Sequence, residues 1–350
     1  MNYIGSKYTL SSFLDETISR VAGDDLSEKV FCDLFAGTGI VGKLFKSRVK
    51  KLLSNDSEYY SYILNRHYIG NHKSIRDQEG FIDALNHAPL VENGFIYTHY
   101  CLGSGSQRNY FTDFNGKKID TIRQKIEAWK VQCHIDENTY AFLLASLLES
   151  ADTVANTASM YGSFLKDLKP SASKALVLEA ANFELTRNAH EVYNTDSNSL
   201  IERISGDILY LDPPYNQREY GANYHMLNTI ARYDDFLPMG KTGLRDYGRS
   251  SYCKKKNVLS AFESLIKAAR FRYIFLSYNN EGLMSEAEIK TILSAYGHYD
   301  LAIQPHQRFK HQRNRKAFRT IESLHILEKF PHTEAKSCAE DQPKTHILAH

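Results

Sequence analysis

DILYLDPPY, residues Asp207 to Tyr215, reads as a strand that ends in a rigid turn. Ile208 to Leu211 form a short, unbroken apolar run, the pattern of a strand buried on both faces of a parallel sheet. Two successive prolines, Pro213 and Pro214, then remove two N–H donors and restrict φ, so the chain cannot extend the sheet. An acid, Asp212, and an aromatic, Tyr215, are thereby held at the C-terminal end of a strand, where open α/β sheets place their ligands. The competing reading is a plain Asp-Pro turn; a glycine loop upstream speaks against it.

That loop is DLFAGTG, Asp33 to Gly39, in which the apolar run Val30 to Phe35 ends, and it is followed by IVGKLFKSR. The apolar residues Ile40, Val41, Leu44 and Phe45 suit one face of a helix, and Lys51 to Asn55 read as a second strand. Strand, glycine turn, helix, strand is a βαβ unit, which makes the sheet parallel at that point. Glycines allow positive φ and a close approach of ligand to backbone, and the helix N-terminus attracts an anionic group. Asp56 follows the second strand, 17 residues past Gly39, where a carboxylate accepts hydrogen bonds from ribose hydroxyls. Together these features predict an adenosine-containing cofactor held by Asp33, Phe35, Ala36, Gly37, Thr38, Gly39 and Asp56. Gly37, Gly39 and Gly42 also satisfy GxGxxG, so the glycines alone leave a dinucleotide site open.

Downstream, a helical stretch from Val258 to Ala269 precedes the strand Tyr273 to Ser277. A helix over Glu286 to Tyr296 leads into a strand at Tyr299 to Ile303, and Glu322 to Glu328 alternates as a last strand. The expected fold is α/β: a doubly wound, mostly parallel sheet with an antiparallel C-terminal hairpin. Residues 67–184 break this rhythm. They carry helical segments around Ile119–Lys130 and Tyr140–Ser150, a further helix over Ala175 to Ala181, and a turn at Asn115-Gly116. They read as an inserted, mainly helical lobe between the two parts of the catalytic domain, 1–66 and 185–330, with 331–350 a flexible tail.

The chain has 350 residues, 42% hydrophobic and 24% charged, with a net charge of only +2. That composition belongs to a globular protein with a real core. Its apolar runs are shorter than the ~20 residues of a membrane span, and its start lacks a secretory signal. The five cysteines are scattered without a CxxC pair, which excludes a zinc ribbon and a disulfide framework and points to a cytoplasmic setting. None of the 14 histidines has metal-ligand spacing near the glycine loop or the DPPY turn, so no metal is expected.

The DPPY turn suits methylation of a weakly nucleophilic aromatic amine. Such an amine delocalises its lone pair into the ring and must localise it before attacking a methyl sulfonium. Hydrogen bonds from the amine to the Asp212 carboxylate and the Pro213 carbonyl would do so, and would stabilise the positive charge developing on nitrogen. Tyr215 would stack on a base rotated out of a duplex.

YIGSK (Tyr3 to Lys7), DLFAGTG, Asp56, an insertion and DPPY, in that order, resemble the Dam-like, or alpha-group, adenine-N6 DNA methyltransferases. The resemblance covers roughly residues 1–66 and 185–330. It implies S-adenosylmethionine as methyl donor, with Tyr3 and Lys7 as N-terminal cofactor contacts and Lys7 near the methionine end. Asp196 matches the acid that meets the cofactor's adenine amino group; it reads equally well as a helix N-cap for Ser197 to Arg203. In the wider superfamily Asp at the first position of the catalytic motif accompanies adenine N6, and Ser accompanies cytosine N4. The resemblance implies site-specific methylation of double-stranded DNA within a restriction-modification system; it leaves open whether a cognate endonuclease, acting independently, accompanies it.

From Pro305 to Arg319 there are six Lys or Arg and no acid. Arg308, Lys310, Arg313, Arg315, Lys316 and Arg319 are candidate phosphate contacts; a solvated basic loop is the competing reading. Lys254 to Lys256 is a second, weaker cluster. Within the insertion, Arg108 and Tyr110 are candidate DNA contacts, and Asn156 and Tyr161 a candidate substrate-side pair, against a reading as small-core or helix-end residues. Three rivals stand beside the leading reading. An RNA adenine methyltransferase predicts a small insertion, a DNA-binding regulator on a dead fold predicts a damaged DPPY, and a nicotinamide-dependent dehydrogenase leaves DPPY and YIGSK without a role.

Overall fold

The structure is a computed structural model that describes residues 7–306 and 320–330. Tyr3, the basic residues from Arg308 to Arg319 and the 331–350 tail lie outside the described residues.

The sheet has seven strands in the order β3-β2-β1-β4-β5-β7-β6. They are β1 (Val30–Asp33), β2 (Lys51–Asn55), β3 (Glu191–Tyr193), β4 (Ser205–Leu211), β5 (Arg270–Asn279), β6 (Gly297–His306) and β7 (Thr320–Lys329). The first five run parallel, and β7 pairs antiparallel with both β5 and β6. The expected mostly parallel sheet with an antiparallel C-terminal hairpin is what forms. The short edge strand β3 had no signal in the sequence reading; it has three residues and only half-buried or exposed side chains.

Alternating residues face opposite sides. Phe31, Ile208, Tyr210, Tyr273 and Phe275 enter one apolar cluster, and Cys32, Leu209, Leu211, Ile274 and Leu276 enter the other. Both faces of β4 and β5 are therefore buried, which is why these strands read as unbroken apolar runs rather than alternating ones.

The first face is covered by α1 (Ser11–Ala22), α2 (Ile40–Phe45), α3 (Tyr59–Asn65) and four helices from between β2 and β3: α4 (Gln78–Asn86), α5 (Phe95–Tyr100), α6 (Asp113–Val131) and α7 (Glu137–Thr153). Ile119, Ile122 and Ile126 of α6 and Phe142, Leu144 and Leu148 of α7 share one cluster with the strand residues. The second face is covered by α8 (Ser197–Ile201), α11 (Val258–Ala268) and α12 (Glu286–Ser294), while α9 (Tyr220–Asn223) and α10 (His225–Arg232) follow the DPPY turn.

Two local expectations fail within residues 67–184. Asn115-Gly116 is the first turn of α6 rather than a turn ahead of it, because Thr112 caps the helix by accepting the Asn115 N–H at 3.2 Å. Glycine is needed there for packing: a Cβ at Gly116 would run into the Cys101 Sγ. Ala175 to Ala181 is irregular rather than helical. Its N–H groups are taken by side chains of neighbouring helices: Leu176 by Asn115 Oδ1, Leu178 by Asn86 Oδ1 and Ala181 by Ser146 Oγ, at 2.8–3.0 Å.

Candidate active site

At the C-terminal ends of β1, β2 and β4 lies a cavity of about 520 Å³, within the size range of small-molecule sites. Its floor is the glycine loop. Gly37 and Gly39 adopt φ of +52° and +75°, a region that other residues enter only with strain. The Gly37 N–H donates to Asp56 Oδ2 at 2.8 Å, and the Gly37 carbonyl accepts from Asn65 Nδ2 at 3.0 Å and from Ser61 Oγ. The loop is thus clamped from both sides by the segment that follows β2. A Cβ at Gly39 would stand 2.7 Å from Asn65 Oδ1, so the clamp also requires glycine there.

Lys7, Asp33, Phe35, Ala36, Gly37, Thr38, Asp56, Asp196 and Asp212 all line this one cavity. Residues far apart in the sequence are gathered because the parallel strands end on one level. Asp33 is buried, and neither of its carboxylate oxygens meets a hydrogen-bond donor. Burial first, and then the charges of Asp212 and Asp56, push its carboxyl well above the ordinary range. Asp196 Oδ1 caps α8 by accepting the Ser199 N–H at 2.9 Å, the N-cap reading, and Asp196 also lines the cavity.

The DPPY turn stands opposite. Pro213 is buried, Pro214 lines the cavity, and the Tyr215 carbonyl accepts the Leu283 N–H at 2.8 Å. Asp212 Oδ1 lies 3.1 Å from Lys7 Nζ, which also contacts Glu322 Oε1 at 2.6 Å. Burial, the largest effect, and the Glu322 charge outweigh Lys7 and push the Asp212 carboxyl up to about 6. Burial alone would lower the Lys7 ammonium; Asp212, Tyr210 and Glu322 outweigh it, so Lys7 stays charged. Lys7, expected to stand beside a cofactor, lines the cavity and sits against Asp212, the acid of the DPPY turn.

Several lining residues escaped the sequence reading. Tyr220 stacks on Tyr224 at 6.0 Å between ring centroids, an i, i+4 aromatic pair whose spacing was readable. Glu58, two residues past Asp56, holds Asn228 of α10, and burial followed by the Asp56 charge pushes its carboxyl up to about 7. Arg245 to Tyr252 roof the cavity. They are anchored by Arg245 on Asp234 at 2.8 Å, by the Ser250 N–H on Glu219 at 3.0 Å and by Tyr252 OH on Asn198 at 2.8 Å. Nothing local in that polar stretch marks it.

Two candidate DNA contacts are corrected. Tyr110 has no exposed surface, and its hydroxyl donates to the Tyr161 carbonyl at 2.7 Å, so it belongs to the core and presents no face to a base. The Arg108 guanidinium binds the carbonyls of His99 and Gly240 at 3.0 Å and reaches those of Pro238 and Lys241. It staples α5 to the 238–241 loop instead of standing free for phosphate. Asn156 and Tyr161 are likewise buried and internally bonded, Tyr161 OH to Asp152 at 2.8 Å. Lys254 and Lys256 are exposed, whereas Lys255 binds the Leu283 carbonyl at 2.5 Å. Among the described residues no cluster of metal-binding side chains occurs, and no helix is long and apolar enough to cross a membrane.

Comparison with known proteins fits this geometry. Residues 3–292 match the family of D12 class N6 adenine-specific DNA methyltransferases. The chain is 61% identical over 333 residues to the type II methyltransferase M.NlaIII of Neisseria lactamica, covering 94% of this chain and 99% of that protein. It is 40% identical to the type II methyltransferase M.FokI of Planomicrobium okeanokoites, over 94% of this chain but 53% of that longer protein. It is 38% identical to the type II methyltransferase M.CviAII of Paramecium bursaria Chlorella virus 1, over 89% of this chain and 93% of that protein. With the glycine loop, the strand-end acids and the DPPY turn converging on one cavity, the chain belongs to the D12 class N6 adenine-specific DNA methyltransferases.

Proposed function

We propose that this DNA methyltransferase holds S-adenosylmethionine against its glycine loop and transfers the methyl group to an adenine N6 presented to Asp212. The carrying observation is that Asp212, at the end of β4, opens onto the same cavity as the clamped glycine loop and Asp56. The residues suit the cofactor. Asp33 offers a buried carboxylate without a hydrogen-bond partner to a cationic group, Asp56 stands where ribose hydroxyls bind, and Asp196 keeps one oxygen for an adenine amino group. S-adenosylmethionine supplies an electrophilic methyl on a sulfonium. The protein's own part would be to make the amine a nucleophile: the Asp212 carboxylate and Pro213 carbonyl would accept hydrogen bonds from its two N–H groups and free the nitrogen lone pair for in-line attack. The sulfur would leave as S-adenosylhomocysteine, and the proton lost by the methylated nitrogen would pass to solvent.

The adenine enters rotated out of the duplex, since its N6 is out of reach inside the stack. Tyr215 is assigned to stack on it, and Tyr220, which lines the cavity, offers a second aromatic ring. Arg308, Lys310, Arg313, Arg315, Lys316 and Arg319 are assigned to DNA phosphates, and 67–184 to target recognition. The type II relatives support a place in a restriction-modification system, with an endonuclease acting independently, and the buried free thiols of Cys32, Cys101 and Cys253 support a cytoplasmic setting. The test is to incubate the protein with methyl-labelled S-adenosylmethionine and unmethylated genomic DNA, then digest to nucleosides. Label in N6-methyladenine is expected. Label in N4-methylcytosine would overturn the role given to Asp212, and label in RNA but not DNA would overturn the substrate.

A further inference from the structure

We propose that Glu322 is a positioning residue for methyl transfer: acting through Lys7, it fixes the Asp212 carboxylate and gives the cluster one net negative charge. The proposal rests on the reading of Asp212 as acceptor of the target amine.

Three side chains from distant parts of the chain meet here. Lys7 Nζ lies between Asp212 Oδ1 at 3.1 Å and Glu322 Oε1 at 2.6 Å. The same Glu322 oxygen accepts the Ser277 hydroxyl of β5 at 2.8 Å. Side-chain exposure falls from 22% at Asp212 to 13% at Glu322 and 9% at Lys7. Asp212 and Lys7 line the cavity and Glu322 does not, so Glu322 stands behind the lysine as seen from the substrate. It also lies beyond residues 3–292, the span matched by the family.

Two physical consequences follow. A lysine ammonium sits on a flexible stem with three rotatable donors and does not by itself hold a carboxylate in one orientation. An acceptor on its far side, itself fixed by Ser277, limits that freedom and so limits Asp212. The second consequence is charge. Lys7 alone would neutralise Asp212; with Glu322 the cluster carries an excess negative charge where positive charge develops on the target nitrogen, in a poorly solvated site.

Other groups face Asp212 as well. Tyr210 of β4 and Tyr220 of α9 are kept neutral by burial, and Asp33 of β1 lies on the same side. Within this set Lys7 lowers and Glu322 raises the proton affinity of Asp212, so removing either shifts its titration in opposite directions.

The experiment compares wild type, Glu322→Gln, Glu322→Asp and Lys7→Met. Methyl transfer from labelled S-adenosylmethionine to unmethylated genomic DNA is measured from pH 5 to 9, with cofactor affinity by calorimetry and thermal melting for each protein. Glu322→Gln is expected to lower kcat by roughly tenfold and to move the acid limb of the profile down by about half a unit or more. Cofactor affinity should change little, Glu322→Asp should recover part of both effects, and Lys7→Met should move the limb upward. A Glu322→Gln profile that superimposes on wild type would overturn the proposal. So would a loss of rate that only tracks melting temperature or cofactor affinity, with the acid limb unmoved. Absence of N6-methyladenine from the wild-type reaction would instead overturn the underlying reading of the site.

Discussion

Asp56 Oδ2 accepts the Gly37 N–H at 2.8 Å while its Oδ1 accepts the Glu58 N–H at 2.8 Å. One carboxylate thus ties the loop after β1 to the segment after β2, and Asp56 lines the cavity. Hydrogen bonds to a charged acceptor are worth about 1.5–3 kcal/mol each. Asp56→Ala should therefore weaken S-adenosylmethionine binding by roughly 10- to 100-fold, measured by calorimetry, and Asp56→Asn should fall between. Unchanged affinity in Asp56→Ala would remove both roles given to this acid.

In the proposed mechanism Asp212 must be ionised to accept a hydrogen bond from the amine and to stabilise the positive charge that develops on its nitrogen. Its carboxyl is pushed up to about 6 by burial and by Glu322 against Lys7. As pH falls through about 6, the carboxylate is protonated and kcat/KM should fall, an acid limb belonging to the free enzyme. Asp212→Ala should cost about 100-fold or more in kcat while leaving cofactor affinity nearly intact. Substantial transfer by that variant would contradict the mechanism.

His67 is fully buried, its Nε2 hydrogen-bonded to the Ala181 carbonyl at 2.8 Å. Burial, above all, depresses its pKa to about 3, so the folded protein keeps it neutral where the unfolded chain protonates it near 6.5. A depressed folded value means stability is complete above the unfolded pKa and is lost as pH falls toward the folded one. Between about pH 6 and 4, His67 should contribute a slope of about 1.4 kcal/mol per pH unit. His67→Phe should flatten the stability profile by that amount, as read from denaturant melts across this range; an unchanged slope would place the proton uptake elsewhere.

The basic stretch from Arg308 to Arg319 should make DNA binding steeply salt-dependent. Six phosphate contacts correspond to a slope of about −5 in log K against log salt. Replacing Arg313 and Arg315 with alanine should reduce that slope by about 2, uniformly across DNA sequences. Binding isotherms at several salt concentrations measure it, and an unaltered slope would assign the stretch to a solvated loop.

The strands and motifs were legible because their rules are local. Buried parallel strands need unbroken apolar runs, as at Ile208 to Leu211. Gly37 and Gly39 are needed where φ is positive, and the two prolines end β4 whatever surrounds them. Between β2 and β3 only the long helices were legible. Tyr110 and Phe111 have the composition of a stacking surface, yet both are fully buried, Tyr110 among Tyr100, Tyr161, Phe164 and His225. Ala175 to Ala181 has helix-forming residues, but side chains some 30 to 90 positions away claim its N–H groups.

By itself, then, the sequence determined the βαβ unit, the glycine loop, the strand-end acids and the DPPY turn, since each is dictated by backbone sterics or by periodicity within a few residues. Tertiary structure decided which of the charged and aromatic side chains share the cavity. Lys7 and Glu322 are 315 positions apart and meet at 2.6 Å. Their contact exists because β7 folds back antiparallel beside β5 and lays Glu322 opposite Asn279, a pairing of distant strands that no local pattern encodes.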